Sequence, residues 1–239
     1  MRVEQPYGKR YKEDAYSEEP KKRYFIACEG RETEYQYFEG VSEFRSILSI
    51  QPLIEIVPIK HDSKTGSNPI NIYEEARKAV KEYDNFFTGD ELCIVVDRDR
   101  KSFKEEQYQK LCEANKQKEI RFCISNPCFE FWLLLHLCDC SEYDKSKLIA
   151  NKRTGRRTQV EKYLKGKLLG TYNKTRIQFE KNFLNKIYSA IENAKLYETD
   201  IIKLKDNLGT NIGLLIEEML YGAVPGPTIS QLSGLKISS

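Results

Sequence analysis

The 239-residue sequence lacks a run of about 18 apolar residues, the length that a helix needs to cross a membrane. Its longest mostly apolar stretch extends only from Phe129 to Leu137, and its first twenty residues are charged and polar rather than an apolar leader. We therefore expect a soluble, cytoplasmic protein that has no membrane partner.

A disulfide framework is also not expected. The seven cysteines are an odd number, and a chain without an apolar leader is expected to keep its thiols reduced. Four of the cysteines lie near one histidine but lack the paired Cys-x-x-Cys spacing of zinc sites. These residues are Cys123, Cys128, Cys138 and Cys140, with His136. Buried free thiols are the preferred interpretation, because the surroundings are mostly apolar.

Two further patterns are absent. No internal repeat is present, which argues against a solenoid. No Gly-x-x-x-x-Gly-Lys-Ser/Thr loop occurs either, so ATP hydrolysis by this polypeptide alone is not predicted.

The charge of the chain is unevenly distributed. The net charge is only +3, but Lys145 to Lys186 contains nine lysines and four arginines against two glutamates, a local charge of +11 that leaves −8 for the rest. Such asymmetry predicts contact with a phosphate backbone, and Arg153, Arg156 and Arg157 are the candidate nucleic-acid-binding residues there. The solvated face of a helical appendage is the alternative explanation.

Strand and helix patterns alternate through the first part of the chain, which predicts an α/β fold with a mostly parallel sheet flanked by helices. The strand patterns span Arg23 to Cys28, Leu53 to Ile59, Glu91 to Val96 and Ile120 to Ile124. The helical patterns lie around Tyr35 to Val41, and at Pro69 to Tyr83, Phe103 to Asn115 and Cys128 to His136.

After Ser141 the alternation stops and the patterns are helical: Lys145 to Leu169 with a break near Thr154, Thr175 to Leu196, and Thr210 to Leu220. We therefore predict four segments. They are a flexible lead-in at 1–21, an α/β domain at 22–141, a basic helical appendage at 142–221 and a loosely held tail at 222–239.

Acidic residues follow two of the predicted strands. Glu29 ends the first, and Asp97 and Asp99 follow the third. Because ligands of open parallel sheets bind beyond the carboxyl ends of the strands, acids distant in sequence can meet there. Residues two apart in an extended segment point to the same side, so both aspartates can approach one hard cation such as Mg²⁺ or Mn²⁺. Simple solvation of acids at strand ends is the competing explanation.

These acids lie in motifs with a recognisable context. Val95 to Asp99 after a buried strand, together with Cys28, Glu29 and Gly30 at a strand-to-helix turn, resembles the two signature motifs of Toprim domains. Such domains occur in topoisomerases, bacterial primases and OLD-family nucleases. The resemblance implies an acid/base role for Glu29, with a second metal as its alternative partner, and metal binding by the aspartates.

Three longer segments resemble RloB-like proteins. The segment from Glu29 to Phe38 looks like their Glu-Gly-x-x-Thr-Glu-x-x-Tyr-Phe opening, and Asn126 to His136 resembles their Asn-Pro-x-Phe-Glu-x-Trp-Leu-Leu-Leu-His block. Asn207 to Leu220 is similar to their closing segment, although Leu208 replaces an expected proline and Gly213 an expected histidine.

The resemblance covers roughly residues 22 to 221. It implies a Toprim-like catalytic domain at 22–141 and an association with abortive infection or restriction-linked phage defence. The two departures weaken any role of the closing segment in the site.

Several polar residues are further candidates. Glu130 lies in an apolar helix and needs a partner, which is either the metal site or a basic residue such as Arg121 or Arg98. We include it among the catalytic candidates. Asn126 is placed to cap the following helix or to line the site, and His136 is either a structural histidine or a supporting residue of the site.

Basic residues near the acids are candidates for phosphate contact. Arg98 and Arg100 flank the two aspartates, and Lys60 and Lys64 belong to a polar loop after the second strand. Solvated ion pairs explain the same residues equally well.

From these features we expect a metal-dependent endonuclease that cleaves RNA, including tRNA, or DNA as the effector of an anti-phage system. The alternative is a non-catalytic Toprim-like subunit that binds nucleic acid or a protein. An ATPase, a restriction-system protein and a second copy of the chain are the further candidate partners.

Overall fold

A computed structural model describes residues 22–30, 32–50, 53–56, 68–82, 89–99 and 102–222. The predicted lead-in at 1–21 and nearly all of the predicted tail lie outside the described residues. Three candidate phosphate contacts, Lys60, Lys64 and Arg100, also lie outside them.

The centre of the described structure is a five-stranded sheet with the strand order β2-β1-β3-β4-β5. The strands are β1 (Arg23–Cys28), β2 (Leu53–Ile56), β3 (Glu91–Asp97), β4 (Arg121–Asn126) and β5 (Gly209–Thr210). The first four are parallel to their neighbours, and β5 alone pairs antiparallel, with β4. The predicted mostly parallel α/β fold is confirmed.

The sheet is buried on both faces because its central strands are apolar on both sides. Along β3, Cys93 and Val95 belong to one hydrophobic cluster, whereas Leu92, Ile94 and Val96 belong to the other. This alternation follows from the two-residue period of a strand. A continuous apolar run is therefore what a central parallel strand requires.

The helices form two layers. They are α1 (Thr33–Glu43), α2 (Pro69–Glu82), α3 (Glu105–Lys116), α4 (Phe129–Leu135), α5 (Lys145–Ala150), α6 (Gln159–Lys167), α7 (Phe179–Asn182), α8 (Ile187–Ala194), α9 (Ile201–Leu204) and α10 (Ile212–Tyr221), with a 3-10 helix at Leu184–Lys186. Helices α2, α3 and α9 contribute to the cluster on one face of the sheet. Helices α1, α4, α6, α8 and α10 contribute to the larger cluster on the other face.

The helical part beyond residue 141 is more divided than its sequence predicted. The predicted break near Thr154 is confirmed, because the pattern from Lys145 forms two helices, α5 and α6, separated by a turn. The pattern from Thr175 forms two helices and a 3-10 helix, a division that was not predicted. Helix α9 and strand β5 were not predicted. The division of the chain into domains stays a prediction.

Within the described residues, no helix combines the length and the apolar character that crossing a membrane would require.

Candidate active site at the carboxyl ends of the parallel strands

The parallel pairing of β1 and β3 brings Glu29 beside Asp97. Cys28 is paired with Val95, so the chain leaves both strands at the same edge of the sheet. The Glu29 amide donates a hydrogen bond to the Val95 carbonyl at 2.9 Å, and Glu29 Oε2 accepts one from the Asp97 amide at 3.2 Å. The pairing of the two strands thus places Glu29 and Asp97 next to each other.

Asp97 also holds the start of helix α4. Its Oδ1 accepts a hydrogen bond from the Phe129 amide at 2.7 Å. Burial, followed by the nearby carboxylates of Glu34, Glu130 and Glu29, raises the pKa of Asp97 well above its usual value, although the Phe129 amide opposes the shift. The negative charges of three other acids therefore all act on Asp97.

Glu34 is a buried acid of this site to which the sequence interpretation gave no role. It lies in the first turn of α1, and its carboxylate occupies the space where a side chain on Gly30 would begin. Only glycine at position 30 allows this approach. Burial and the charge of Glu130 raise the pKa of Glu34 to about 7. The only signal in the sequence was its place in the Glu29-to-Phe38 motif.

Glu29 and Asp99 complete the acidic edge. Burial and the charge of Asp99 raise the pKa of Glu29 to about 7, while the Asp97 amide opposes that shift. Asp99 is exposed, and its Oδ2 accepts a hydrogen bond from Ser102 Oγ at 2.9 Å. Glu29 thus titrates near neutral pH beside an acid that faces solvent.

Glu130 has a basic partner, although neither of those suggested by the sequence. Lys174 Nζ lies 2.6 Å from Glu130 Oε1 and 2.5 Å from Glu161 Oε1. Both glutamates are 4% exposed, so one ammonium group serves two buried carboxylates. Tyr172 OH also donates to Glu130, at 3.4 Å.

The other residues proposed as partners of Glu130 are engaged elsewhere. Arg121 binds Glu91 and Glu218 at the opposite ends of the strands. Arg98 is buried, and it donates to the backbone carbonyls of Phe103 and Lys205 at 2.8 and 3.2 Å. These contacts favour a structural role for Arg98 over the predicted phosphate contact.

A cavity of about 930 Å³ is lined by three of the acids, Asp97, Asp99 and Glu130. Lys152 and Arg153 are among the basic residues of the same lining. This basic pair begins the turn between α5 and α6. The cavity lining therefore contains both carboxylates and cationic side chains.

The remaining arginines, Arg156 and Arg157, belong to the same turn as Arg153. The Thr154 amide donates to the Arg157 carbonyl at 2.9 Å, which closes the turn around Gly155 in its left-handed conformation, φ 68°. Arg153, Arg156 and Arg157 are all exposed. The three predicted nucleic-acid contacts thus share one exposed turn next to the acidic cavity.

Of the two predicted supporting residues, Asn126 borders the cavity and His136 does not. Asn126 lines the cavity, but its amide donates to the Leu204 carbonyl at 2.7 Å, and Cys128 is the N-cap of α4. The interpretation of Asn126 as the helix cap is therefore wrong. Asp97, a residue distant in sequence, binds the first turn instead.

His136 lies in an aromatic core. Its ring nitrogens contact Tyr37 OH at 3.2 Å and the Trp132 carbonyl at 3.0 Å, and the rings of Tyr37, Trp132 and Phe183 surround it. Burial lowers the pKa of His136 to about 3, so it is neutral at ordinary pH. The geometry favours the structural role.

The carboxylates of this edge supply oxygen atoms, the donor type that hard divalent cations such as Mg²⁺ prefer. No group of three or more His, Cys, Asp or Glu side chains in the described ranges is arranged to hold one ion by itself. Mg²⁺ does not need such a cage, because it commonly uses one or two carboxylates together with waters and substrate phosphate. Asp97 and Asp99 supply oxygen donors to the lining of the cavity. Burial first, and neighbouring carboxylates second, raise the pKa values of Asp97 and Glu29.

Fold and site together define an α/β protein with an acidic, cavity-forming centre at the carboxyl edge of its sheet. The family model described as RloB-like protein matches residues 24–219, and the chain therefore belongs to the RloB-like protein family. No curated protein and no solved structure matches the chain.

Proposed function

We propose that this protein is a metal-dependent, Toprim-type endonuclease that cleaves RNA, tRNA included, or DNA as the effector of an anti-phage system. The observation that carries the proposal is the meeting of Glu29, Asp97 and Glu34 at one sheet edge, beside a cavity that also contains Asp99 and Glu130. Membership of the RloB-like family supports the link to phage defence.

Asp97 and Asp99 would hold Mg²⁺ or Mn²⁺, which when bound polarises a phosphodiester and activates a water. The Phe129 amide fixes the orientation of Asp97 by its hydrogen bond to Oδ1. That contact ties the carboxylate to the frame of the fold, as a preorganised site requires.

Glu29 is the proposed proton carrier. A carboxyl group whose pKa is near 7 is present in both protonation states at neutral pH, which suits a general acid or base. Its Oε2 is held by the Asp97 amide, so the proton would be taken or delivered directly beside the proposed metal ligand. Glu130, fixed by Lys174, would shape the wall of the cavity.

The nucleic acid would approach along the turn that carries Arg153, Arg156 and Arg157. Guanidinium groups bind phosphate oxygens in a fixed geometry, and Arg153 lines the same cavity as the aspartates. The cationic turn would thus bring a phosphodiester to the acids without reading its bases.

The variant Asp97→Asn tests the proposal. Asparagine keeps an oxygen that accepts from the Phe129 amide but removes the charge, so we expect cleavage of tRNA, single-stranded RNA or DNA in Mg²⁺ or Mn²⁺ to fall at least about 100-fold. Calorimetric titration of the protein with Mg²⁺ gives a second readout, in which binding should weaken. The matched control is Glu106→Gln, an exposed acid in the first turn of α3.

Equal cleavage by wild type and Asp97→Asn would contradict the proposal. Tight binding of nucleic acid without cleavage in any divalent ion would favour the alternative, a non-catalytic subunit that binds nucleic acid for a partner ATPase or restriction complex. Acid-dependent toxicity in cells, lost in Asp99→Asn and kept in Glu106→Gln, would support the role as an effector.

A further inference from the structure

Two cysteines lie close together in the turn that follows helix α4. Cys138 Sγ and Cys140 Sγ are 3.7 Å apart, and both thiols also contact backbone carbonyls, Leu134 O for the first and Cys138 O for the second. Cys138 is half-buried, whereas Cys140 is fully buried. The pair therefore has one sulfur near solvent and one behind it.

The backbone of the turn holds this arrangement. Cys140 has a φ of 61°, a left-handed conformation that residues other than glycine seldom adopt. Tyr197 OH donates to the carbonyl of the intervening Asp139 at 2.6 Å, which fixes the turn from outside. The short distance between the sulfurs is thus a property of a defined turn.

The surroundings of Cys138 favour its thiolate. Hydrogen bonds from the Cys140 thiol and amide, with a smaller effect of Lys167, lower the pKa of Cys138 to about 7 against the opposing effects of burial and Glu142. Asp139, Tyr143 and Tyr197 are the other titratable groups near the pair. Since the thiolate is the reactive form of cysteine, Cys138 is the expected nucleophile.

The other half-buried cysteine provides a contrast. Burial, with Asp200 and Glu105 nearby, raises the pKa of Cys112 to about 11. The remaining cysteines, Cys28, Cys93, Cys123 and Cys128, are buried. Cys138 thus combines partial exposure, a low pKa and a neighbouring thiol.

We propose that Cys138 and Cys140 form a peroxide-reactive dithiol that closes to an intramolecular disulfide. The Cys138 thiolate attacks a hydroperoxide, here hydrogen peroxide, which forms a sulfenic acid and releases water after proton transfer. The Cys140 thiol then displaces the sulfenic hydroxyl, which leaves as a second water as the S–S bond forms. Two thiols lose two electrons and two protons in total, and the peroxide takes up both.

The required movement is small. A disulfide has its sulfurs about 2.05 Å apart, so the pair must close by roughly 1.7 Å from the observed 3.7 Å. Rotation about the two Cα–Cβ bonds would supply this shift when the disulfide forms. The reaction is independent of divalent metal and nucleic acid, so its test is separate from that of the proposed nuclease.

The test uses the full-length reduced protein with hydrogen peroxide as the probe. Peptide mass mapping should show a Cys138–Cys140 peptide that has lost two hydrogens, and dithiothreitol should restore both thiols. Before oxidation, iodoacetamide at pH 7.5 should label Cys138 at least roughly tenfold faster than Cys112, because the gain in thiolate exceeds the loss of nucleophilicity.

Two serine variants separate the roles of the sulfurs. Cys140→Ser should accumulate a Cys138 sulfenic acid that dimedone traps, whereas Cys138→Ser should leave Cys140 unoxidised at the same peroxide concentration. Cys112→Ser is the matched control and should form the disulfide as the wild type does. The proposal is overturned if the wild type forms no linked peptide, or if Cys112 is labelled as fast as Cys138.

Discussion

Burial decides the chemistry of His136. The side chain is 3% exposed, and its ring nitrogens already have the Tyr37 hydroxyl and the Trp132 carbonyl as partners. A charge there would be surrounded by aromatic rings, with Lys186 as a further unfavourable influence. The proximity of His136 to Glu130 in sequence therefore does not make it a member of the acidic site.

We predict that His136 makes the protein less stable in acid. Its pKa is about 3 in the folded protein and 6.5 as an ordinary histidine, so the unfolded chain binds the proton more tightly. The free energy of unfolding should fall as the pH drops below 6.5, by about 1.4 kcal/mol per pH unit, or about 2 kcal/mol at pH 5. Urea titrations of wild type and His136→Gln at pH 7 and pH 5 measure this.

The variant should show a smaller difference between the two pH values than the wild type. Contributions from the carboxylates cancel in this comparison. His61→Gln removes the other histidine of the chain and serves as the control. If this control, rather than His136→Gln, lost the pH dependence, the assignment to His136 would be wrong.

At the scale of elements, the contact between α1 and α7 depends on a glycine, because any side chain at position 40 would collide with α7. A Cβ on Gly40 would overlap the ring of Phe179, which also packs edge-on against Tyr37 with ring centres 5.2 Å apart. Glu34 lies in the first turn of helix α1, so the packing of this helix sets the position of Glu34. Glycine at position 40 is thus required by close approach.

We predict that Gly40→Ala lowers the free energy of unfolding by about 1–3 kcal/mol, because the ring of Phe179 must move within a packed core. The matched control is Gly166→Ala in helix α6, where a Cβ meets no atom within 4 Å. That change should stabilise the protein by about 0.5–1 kcal/mol through helix propensity. Thermal or urea unfolding should therefore show a lower free energy of unfolding for Gly40→Ala and a higher one for Gly166→Ala.

Strong local patterns explain which elements the sequence could predict. The apolar run of β3 and the acid at its end identified both the central strand and Asp97, and Glu29 followed from the end of β1. Strand β5 has two residues and α9 has four, too short for a periodic signal. Their positions depend on contacts with β4 that are distant in sequence.

The parts of the site that the sequence did not predict also depend on contacts between residues that are distant in sequence. The hydrogen bond from the Phe129 amide to Asp97 spans 32 positions, and Lys174 reaches Glu130 from a segment with no marked pattern. Apart from its place in the Glu29-to-Phe38 motif, Glu34 had no sequence signal, because the helical pattern of α1 did not indicate its burial strongly. Local sequence thus predicted the acids at strand ends, whereas the folded chain added the groups around them.

At the scale of the whole molecule, the structure shows where part of the basic segment between residues 145 and 186 lies. The excess of cations between residues 145 and 186 includes the turn of Arg153, Arg156 and Arg157, which borders the cavity of Asp97 and Asp99. A polyanion attracted to the turn would therefore place a phosphate near the acids, whose own charge a divalent cation would offset. In the proposed function, the cationic turn would bind the substrate and the neighbouring acids would bind the metal.

The salt dependence of nucleic-acid binding tests this arrangement. Replacement of Arg153, Arg156 and Arg157 by glutamine should weaken binding of a single-stranded oligonucleotide at low salt and reduce the slope of log K against log salt by about 2, since each lost phosphate contact removes about 0.7. Fluorescence anisotropy over a series of salt concentrations, with the metal held constant, measures the slope.

The matched control changes the net charge by the same amount at exposed lysines that do not line the cavity. Lys104, Lys116 and Lys203 meet this condition, and their replacement by glutamine should leave the slope nearly unchanged. An equal loss in both triple variants would mean that net charge, rather than the turn beside the acids, determines binding. A reduced slope only in the arginine variant would instead assign the phosphate contacts to that turn, because counterion release counts contacts and not total charge.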